Sequence, residues 1–132
     1  MATEHSLPEN YSYSEDHEWI DATPADAVGA TVKVGITSVA TERLGEVVYA
    51  ELPQVGDAVT AGEPCGEVES TKSVSDLYAP VTGTVTEIND AVHDDYAVIN
   101  DDPFGAGWLF AVEVDEVGPL MTAAEYAEAN GV

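Results

Sequence analysis

The sequence predicts a mostly β fold, a flattened sandwich or barrel of short strands decorated by two helices. Three observations predict it: apolar residues that alternate with period two, turn-forming clusters at short intervals, and two segments bracketed by helix-capping residues. Val32, Val34 and Ile36 alternate with Thr31, Lys33 and Gly35, the pattern of a half-buried strand. Val48, Ala50 and Leu52 repeat it ahead of Pro53. Trp108, Phe110, Val112 and Val114 do so again, against Leu109, Ala111, Glu113 and Asp115. Gly56-Asp57, Gly62-Glu63-Pro64, Ala79-Pro80, Asn89-Asp90 and Asp101-Asp102-Pro103 cut the chain between these runs, as turns do.

The first predicted helix covers residues 37–44, from Thr37 or Ser38 as N-cap to Gly45 as its stop. The second covers 123–130 and caps one end of the fold. Thr122 and Glu125 form a capping box there, each satisfying a backbone N–H that the helix start leaves orphaned. An internal echo links Val55-Gly56-Asp57-Ala58-Val59 to Ile88-Asn89-Asp90-Ala91-Val92, 33 residues later. Gly56 and Asn89 both tolerate positive φ, so both copies read as tight turns. The midpoint between the copies falls near Lys72, where two related halves would meet at a hairpin tip.

With 132 residues, 45% of them hydrophobic, the chain suits one domain over 1–132 with a real core. Its 26 acidic residues face only 3 Lys and Arg, a formal net charge of -23. Such a field repels nucleic acid and anionic membranes, which excludes both as partners. The acidity suits either docking onto basic partners or a solvated coat of the kind used in concentrated salt. The acids are spread from Glu4 to Glu128, which favours the coat. Cys65 is the only cysteine, so no intrachain disulfide is possible. No basic-then-apolar leader opens the sequence and no apolar run reaches bilayer-spanning length, so a soluble cytoplasmic protein is expected.

The chemistry concentrates in one segment. Residues 66–83 read as strand, polar turn, strand, with Ser70 to Ser73 at the tip. Lys72 is one of only two lysines, the other being Lys33 in mid-strand. A composition that has shed nearly every lysine has kept one at an exposed apex, where an acid would have served solvation equally well. His5, His17 and His93 are scattered without zinc-site spacing, so no metal is expected, and His17 reads as part of a strand. Trp19 and Trp108 read as core, and Arg43 as a cation favoured by a helix C-terminus. No phosphate loop, GxSxG or nucleotide fingerprint appears.

These residues resemble the glycine cleavage system H proteins, within the lipoyl/biotinyl-carrier (barrel-sandwich hybrid) fold. The motifs are His17-Glu18-Trp19, Val34 to Thr37, Leu44 to Tyr49, Glu51-Leu52-Pro53, Val68 to Lys72 with Ser75-Asp76, Pro80 to Gly83, and Asp102 to Gly105 with Gly107-Trp108. Their joint order carries the resemblance. Biotin carriers would show Met on both sides of the lysine, and lipoyl domains of 2-oxoacid dehydrogenases Asp and Ala. Thr71 and Ser73 fit neither. The chain departs from the family's usual pattern in lacking a basic residue near Ala111, and Ser73 stands where many members carry Ala.

The resemblance implies a carrier rather than an enzyme, with lipoate in amide linkage to Lys72 as lipoyllysine. It implies three partners: a glycine decarboxylase (P-protein) that loads an aminomethyl group, an aminomethyltransferase (T-protein) that unloads it, and a dihydrolipoamide dehydrogenase (L-protein). A lipoylating enzyme is a fourth, with Glu69 as a negative handle and Gly83 keeping the neighbouring turn unobstructed as its recognition points. A thioether-linked aminomethyl group is lost when its nitrogen donates a lone pair, and carboxylates suppress this by favouring the ammonium. Glu18 and Asp76, with Asp16 as a further candidate, are expected to hold that amine in a cleft. Two other readings stay open: a carrier relaying lipoate to other enzymes, and an unmodified acidic interaction domain.

Overall fold

The alternating runs become strands in the computed structural model, which describes residues 7–131; His5 lies outside these. In chain order the elements are β1 (Ser12–Tyr13), β2 (Glu18–Ile20), α1 (Pro24–Ala27), β3 (Thr31–Ile36), α2 (Ser38–Leu44), β4 (Val47–Glu51) and β5 (Ala58–Val59). There follow β6 (Pro64–Ser70), β7 (Val74–Tyr78), β8 (Val81–Ile88), α3 (Asp90–Asp94), α4 (Ala97–Asp101), β9 (Phe110–Val117) and α5 (Ala123–Asn130). A six-stranded antiparallel sheet has the order β1-β2-β3-β9-β8-β5, and a three-stranded one the order β4-β6-β7. Two antiparallel sheets with short helices are the expected flattened sandwich.

The core follows from the alternation. Val32 and Val34 on β3, Val85 on β8 and Val112 and Val114 on β9 meet Ala50, Val68 and Leu77 of the smaller sheet in one buried cluster. A second cluster joins Tyr13, Trp19, Val39 and Tyr126. There the Trp19 indole lies against Gly35, its partner on β3, where a Cβ would strike the ring. Its N–H donates to Ile36 O at 3.1 Å and Pro103 O at 3.0 Å, so the large ring is buried with its polar atom satisfied.

Both expected helices form with the expected caps. Thr37 caps α2 by accepting from Ala40 N–H, and Gly45 ends it at φ 83°. The Thr122–Glu125 capping box opens α5, and Gly131 closes it in the left-handed region. Three further short helices were not anticipated; two are capped by residues that read equally well as turns, and α4 has no side-chain cap. Thr23 caps α1, and Asn89 caps α3 at φ −81° by accepting from Ala91 N–H.

Several expectations are corrected. Gly56 has φ 94° but Asn89 does not have positive φ, so one copy of the echo is a turn into β5 and the other a helix start. Only the burial of Val59 and Val92 is shared. Val48 is not inward-facing: a register shift between Val47 and Tyr49 leaves Val48 44% exposed. Trp108 is half-buried, with the Lys33 ammonium 5.0 Å above its ring. His17 precedes β2 in a turn at φ 74°, a conformation that His adopts more readily than most residues.

Candidate functional site

Lys72 occupies the turn between β6 and β7, exposed to solvent. Its backbone is fixed by hydrogen bonds rather than by packing. The Ser70 hydroxyl oxygen accepts from the N–H groups of Lys72 and Ser73, each at 3.1 Å, while Ser70 N–H donates to Ser73 O at 2.8 Å. Thr71 N–H donates to Glu46 O at 3.1 Å, tying the tip to the approach to β4. The Asn100 side chain on α4 clasps that approach, accepting from Val47 N–H and donating to Gly45 O, both at 2.9 Å. The Lys72 stem passes over Gly45, where a Cβ would lie 3.0 Å from Lys72 Cε. A rigid base therefore carries an exposed lysine.

Beside the hairpin lies a cleft of about 440 Å³. Ile36, Ala40, Leu44, Val68 and Leu77 give it aliphatic walls, and Asp16, Glu18 and Asp76 all line it with Ser73. The structure thus brings together the three carboxylates singled out from sequence. Their environments differ. Asp16 and Asp76 are exposed, and the Tyr78 hydroxyl reaches Asp76 Oδ2 at 3.5 Å. Glu18 is 2% exposed; Oε1 accepts from the Ser14 hydroxyl at 2.7 Å and Oε2 from Tyr78 N–H at 3.2 Å. Burial pushes its carboxyl up to about 8, aided by the Asp16 charge and opposed by these two hydrogen bonds.

Arg43 and His17 complete the rim, a role that sequence reasoning missed. Arg43 Nη1 lies 3.2 Å from His17 Nε2, and His17 Nδ1 lies 2.6 Å from the Tyr126 hydroxyl, which also meets Thr37 Oγ1 at 2.7 Å. Burial and the Arg43 charge hold the His17 imidazole below its usual range, so its neutral form is favoured. The chain runs from the cleft through Tyr126 on α5 to the cap of α2. One early signal was Arg43 on the helix that follows Thr37.

Glu69 and Gly83 are not brought into this cleft. Glu69 stands exposed on β6, paired with Tyr49 on one side and Val74 on the other. Gly83 belongs to the other sheet, buried within β8 between Val59 and Val114. It has no positive φ and does not shape a turn; a Cβ there would run into the Glu113 carbonyl oxygen, so close backbone approach is what requires glycine. Among the described residues no three His, Cys, Asp or Glu side chains form a metal-binding group, and no helix is long and apolar enough to cross a membrane.

Comparison with known proteins agrees with this geometry. Residues 11–130 match the family model for the glycine cleavage H-protein. A glycine cleavage system H protein of Corynebacterium aurimucosum is 75% identical over 127 residues, covering 96% of this chain and 98% of that one. One from Corynebacterium jeikeium is 55% identical over 125 residues, covering 95% and 98%. The crystal structure of a glycine cleavage system H protein from Mycobacterium marinum superimposes with a TM-score of 0.92 at 56% identity, covering 96% of this chain and all of that one. Fold, hairpin lysine and sequence thus converge, and the chain belongs to the glycine cleavage H-protein family.

Proposed function

We propose that the chain is the lipoyl carrier of a glycine cleavage system, with residues 1–132 acting as one cytoplasmic domain and Lys72 as the attachment site. The exposed amine on a hydrogen-bonded tip carries this reading. The residues suit lipoate in two ways. Nothing encloses the Lys72 amine against an acylating enzyme, and the neighbouring aliphatic cleft with carboxylates at its edges has the right chemistry for an apolar arm ending in an amine. When bound, lipoate supplies the dithiolane that takes up the aminomethyl group of glycine. The partners are then a glycine decarboxylase, an aminomethyltransferase, a dihydrolipoamide dehydrogenase and a lipoylating enzyme. The carrier's contribution is positional: a fixed tether point raises the local concentration of its cargo at each partner in turn.

Asp76 and Asp16 place negative charge where a cationic amine can rest, keeping its nitrogen protonated. Glu18 acts differently. Burial favours its neutral form, and a cation entering the cleft draws it toward the carboxylate. The Ser14 hydroxyl and Tyr78 N–H stabilise the charge so formed. Intact-mass measurement after expression with lipoate, followed by peptide fragmentation, tests the attachment: a lipoyl adduct on Lys72 is expected, and an unmodified chain would refute it. Replacing Lys72 by arginine should abolish glycine decarboxylation in the reconstituted system. For the cleft, Asp76→Asn should lose its one-carbon amine faster than the wild type, and equal rates would remove Asp76 from that role.

A further inference from the structure

Resting on the reading that Lys72 is acylated, we propose that Val48, Tyr49 and Val74, with Glu69 between the last two and Glu46 and Glu67 beside them, form the docking surface for the enzyme that acylates it. That partner presents apolar side chains interspersed with basic ones. Five large hydrophobic side chains are conspicuously exposed among the described residues: Val28, Val48, Tyr49, Val55 and Val74. Three of the five flank the Lys72 turn. Tyr49 pairs with Glu69 and Glu69 with Val74, so the three side chains stand in one row across the outer face of the small sheet, next to the tip. Val48 is the residue passed over where the β4 register shifts, immediately beyond the segment that hydrogen-bonds Thr71. Tyr49 is 47% exposed and Val74 56%; the Tyr49 ring meets only the Tyr96 ring, 5.8 Å away between centroids, among the aromatic contacts described. In a chain with 26 acidic residues, three exposed apolar side chains gathered on one sheet face are the anomaly.

The reaction selects the partner. Lys72 Nζ, having shed its ammonium proton, attacks the carbonyl carbon of an activated acyl donor. The C–N bond forms, the donor's leaving group departs with the electron pair of the broken bond, and Nζ loses a second proton. The donor must therefore come within bonding distance of Nζ, which brings the acylating enzyme down onto the tip and its neighbours. Glu69 stands exposed within the row and Glu46 and Glu67 are exposed beside it, so charge complementarity calls for lysines and arginines on the opposing surface.

The test measures initial acylation rates of the full unmodified chain by a lipoate ligase supplied with lipoate and ATP, over a range of carrier concentrations. The Tyr49→Ser/Val74→Ser double variant should show KM raised roughly tenfold with kcat nearly kept. Glu67→Gln should raise KM severalfold in dilute buffer and lose that difference in strong salt. Val55→Ser, exposed but remote from the tip in sequence, should match the wild type. As a readout independent of turnover, Lys72→Arg chain should competitively inhibit acylation of the wild type, and the same chain carrying the double substitution should not. Acylation of the double variant with wild-type KM, or undiminished inhibition by its Lys72→Arg form, overturns this inference while leaving the carrier reading intact. A wild-type chain that is never acylated at Lys72 overturns both.

Discussion

Glu18→Gln separates burial of a neutral acid from burial of a charge. With its carboxyl pushed from 4.5 to about 8, Glu18 binds a proton more tightly in the folded chain than in the unfolded one. The sign follows: stability is greatest below pH 4.5 as far as this group is concerned, and falls as pH rises toward the folded value. At about 1.4 kcal/mol per pH unit, the full interval corresponds to a ceiling of roughly 5 kcal/mol. For a chain of this size that is a fall in Tm of at most roughly 15–20 °C. Calorimetric melts between pH 5 and 8.5, at constant strong salt to screen the acidic coat, should show this decline in the wild type. In Glu18→Gln this declining component should be absent, so the difference between the two chains reports Glu18. Like the neutral acid, the amide offers one accepting oxygen and a donor, with Tyr78 N–H donating to the oxygen and the Ser14 hydroxyl able to accept from the donor; any residual penalty is constant in pH, so the pH dependence and not the absolute Tm is diagnostic. His17, whose lowered affinity for protons costs stability only as pH falls below its usual 6.5, is common to both chains and cancels. Parallel slopes would show that Glu18 is ionised in the fold, and the account of the cleft would be wrong.

Other perturbations probe the surroundings. Gly83→Ala should destabilise by roughly 1–3 kcal/mol in urea melts, because its Cβ meets Glu113 O and Val112 Cγ1; unchanged stability would contradict the packing account. Its folded fraction should still be acylated, whereas a recognition role for Gly83 predicts a kinetic defect at full folding. Tyr126→Phe removes a hydroxyl shared by His17 and Thr37 and should cost about 1–3 kcal/mol, read as a Tm decrease; a silent substitution would dismiss the network. Burial pushes the Cys65 thiol up to about 12, with the Glu18 charge contributing. Alkylation at pH 8 should therefore run at least a hundredfold slower in the native chain than in guanidinium, and equal rates would refute this. With a formal charge of -23, the fold should weaken as salt is removed and carboxylate repulsion goes unscreened; full stability at low ionic strength would remove the case for a salt-adapted coat.

Legibility from sequence tracked the range of the interaction. The caps at Thr37 and Thr122 are local chemistry, satisfied within four residues, and were readable. So was β3, whose alternation needs only a sheet with one wet face. The Lys72 tip was visible because its turn residues are contiguous and lysine is scarce. What failed depended on partners distant in sequence. Gly83 looks like a turn residue until β9 is laid against it. Val48 obeys the alternation in sequence, and only the bulge, set by pairing with β6, turns it outward. The three carboxylates of the cleft were named individually, yet nothing in the sequence separated the buried Glu18 from the wet Asp16 two positions earlier. That contrast arises from β2 lying inside the sandwich while the preceding turn does not.

The clasp formed by Asn100 has a consequence for the life history of the molecule. Positioning Lys72 requires residues 45–47, 70–73 and 100 to be assembled, and these join only after most of the chain has been made. An acylating enzyme that grips this arrangement acts as an inspector, adding its costly group only to chains that have finished folding. A synthetic peptide of residues 66–83 should accordingly be a far poorer acceptor than the intact chain, although it contains every atom that reacts.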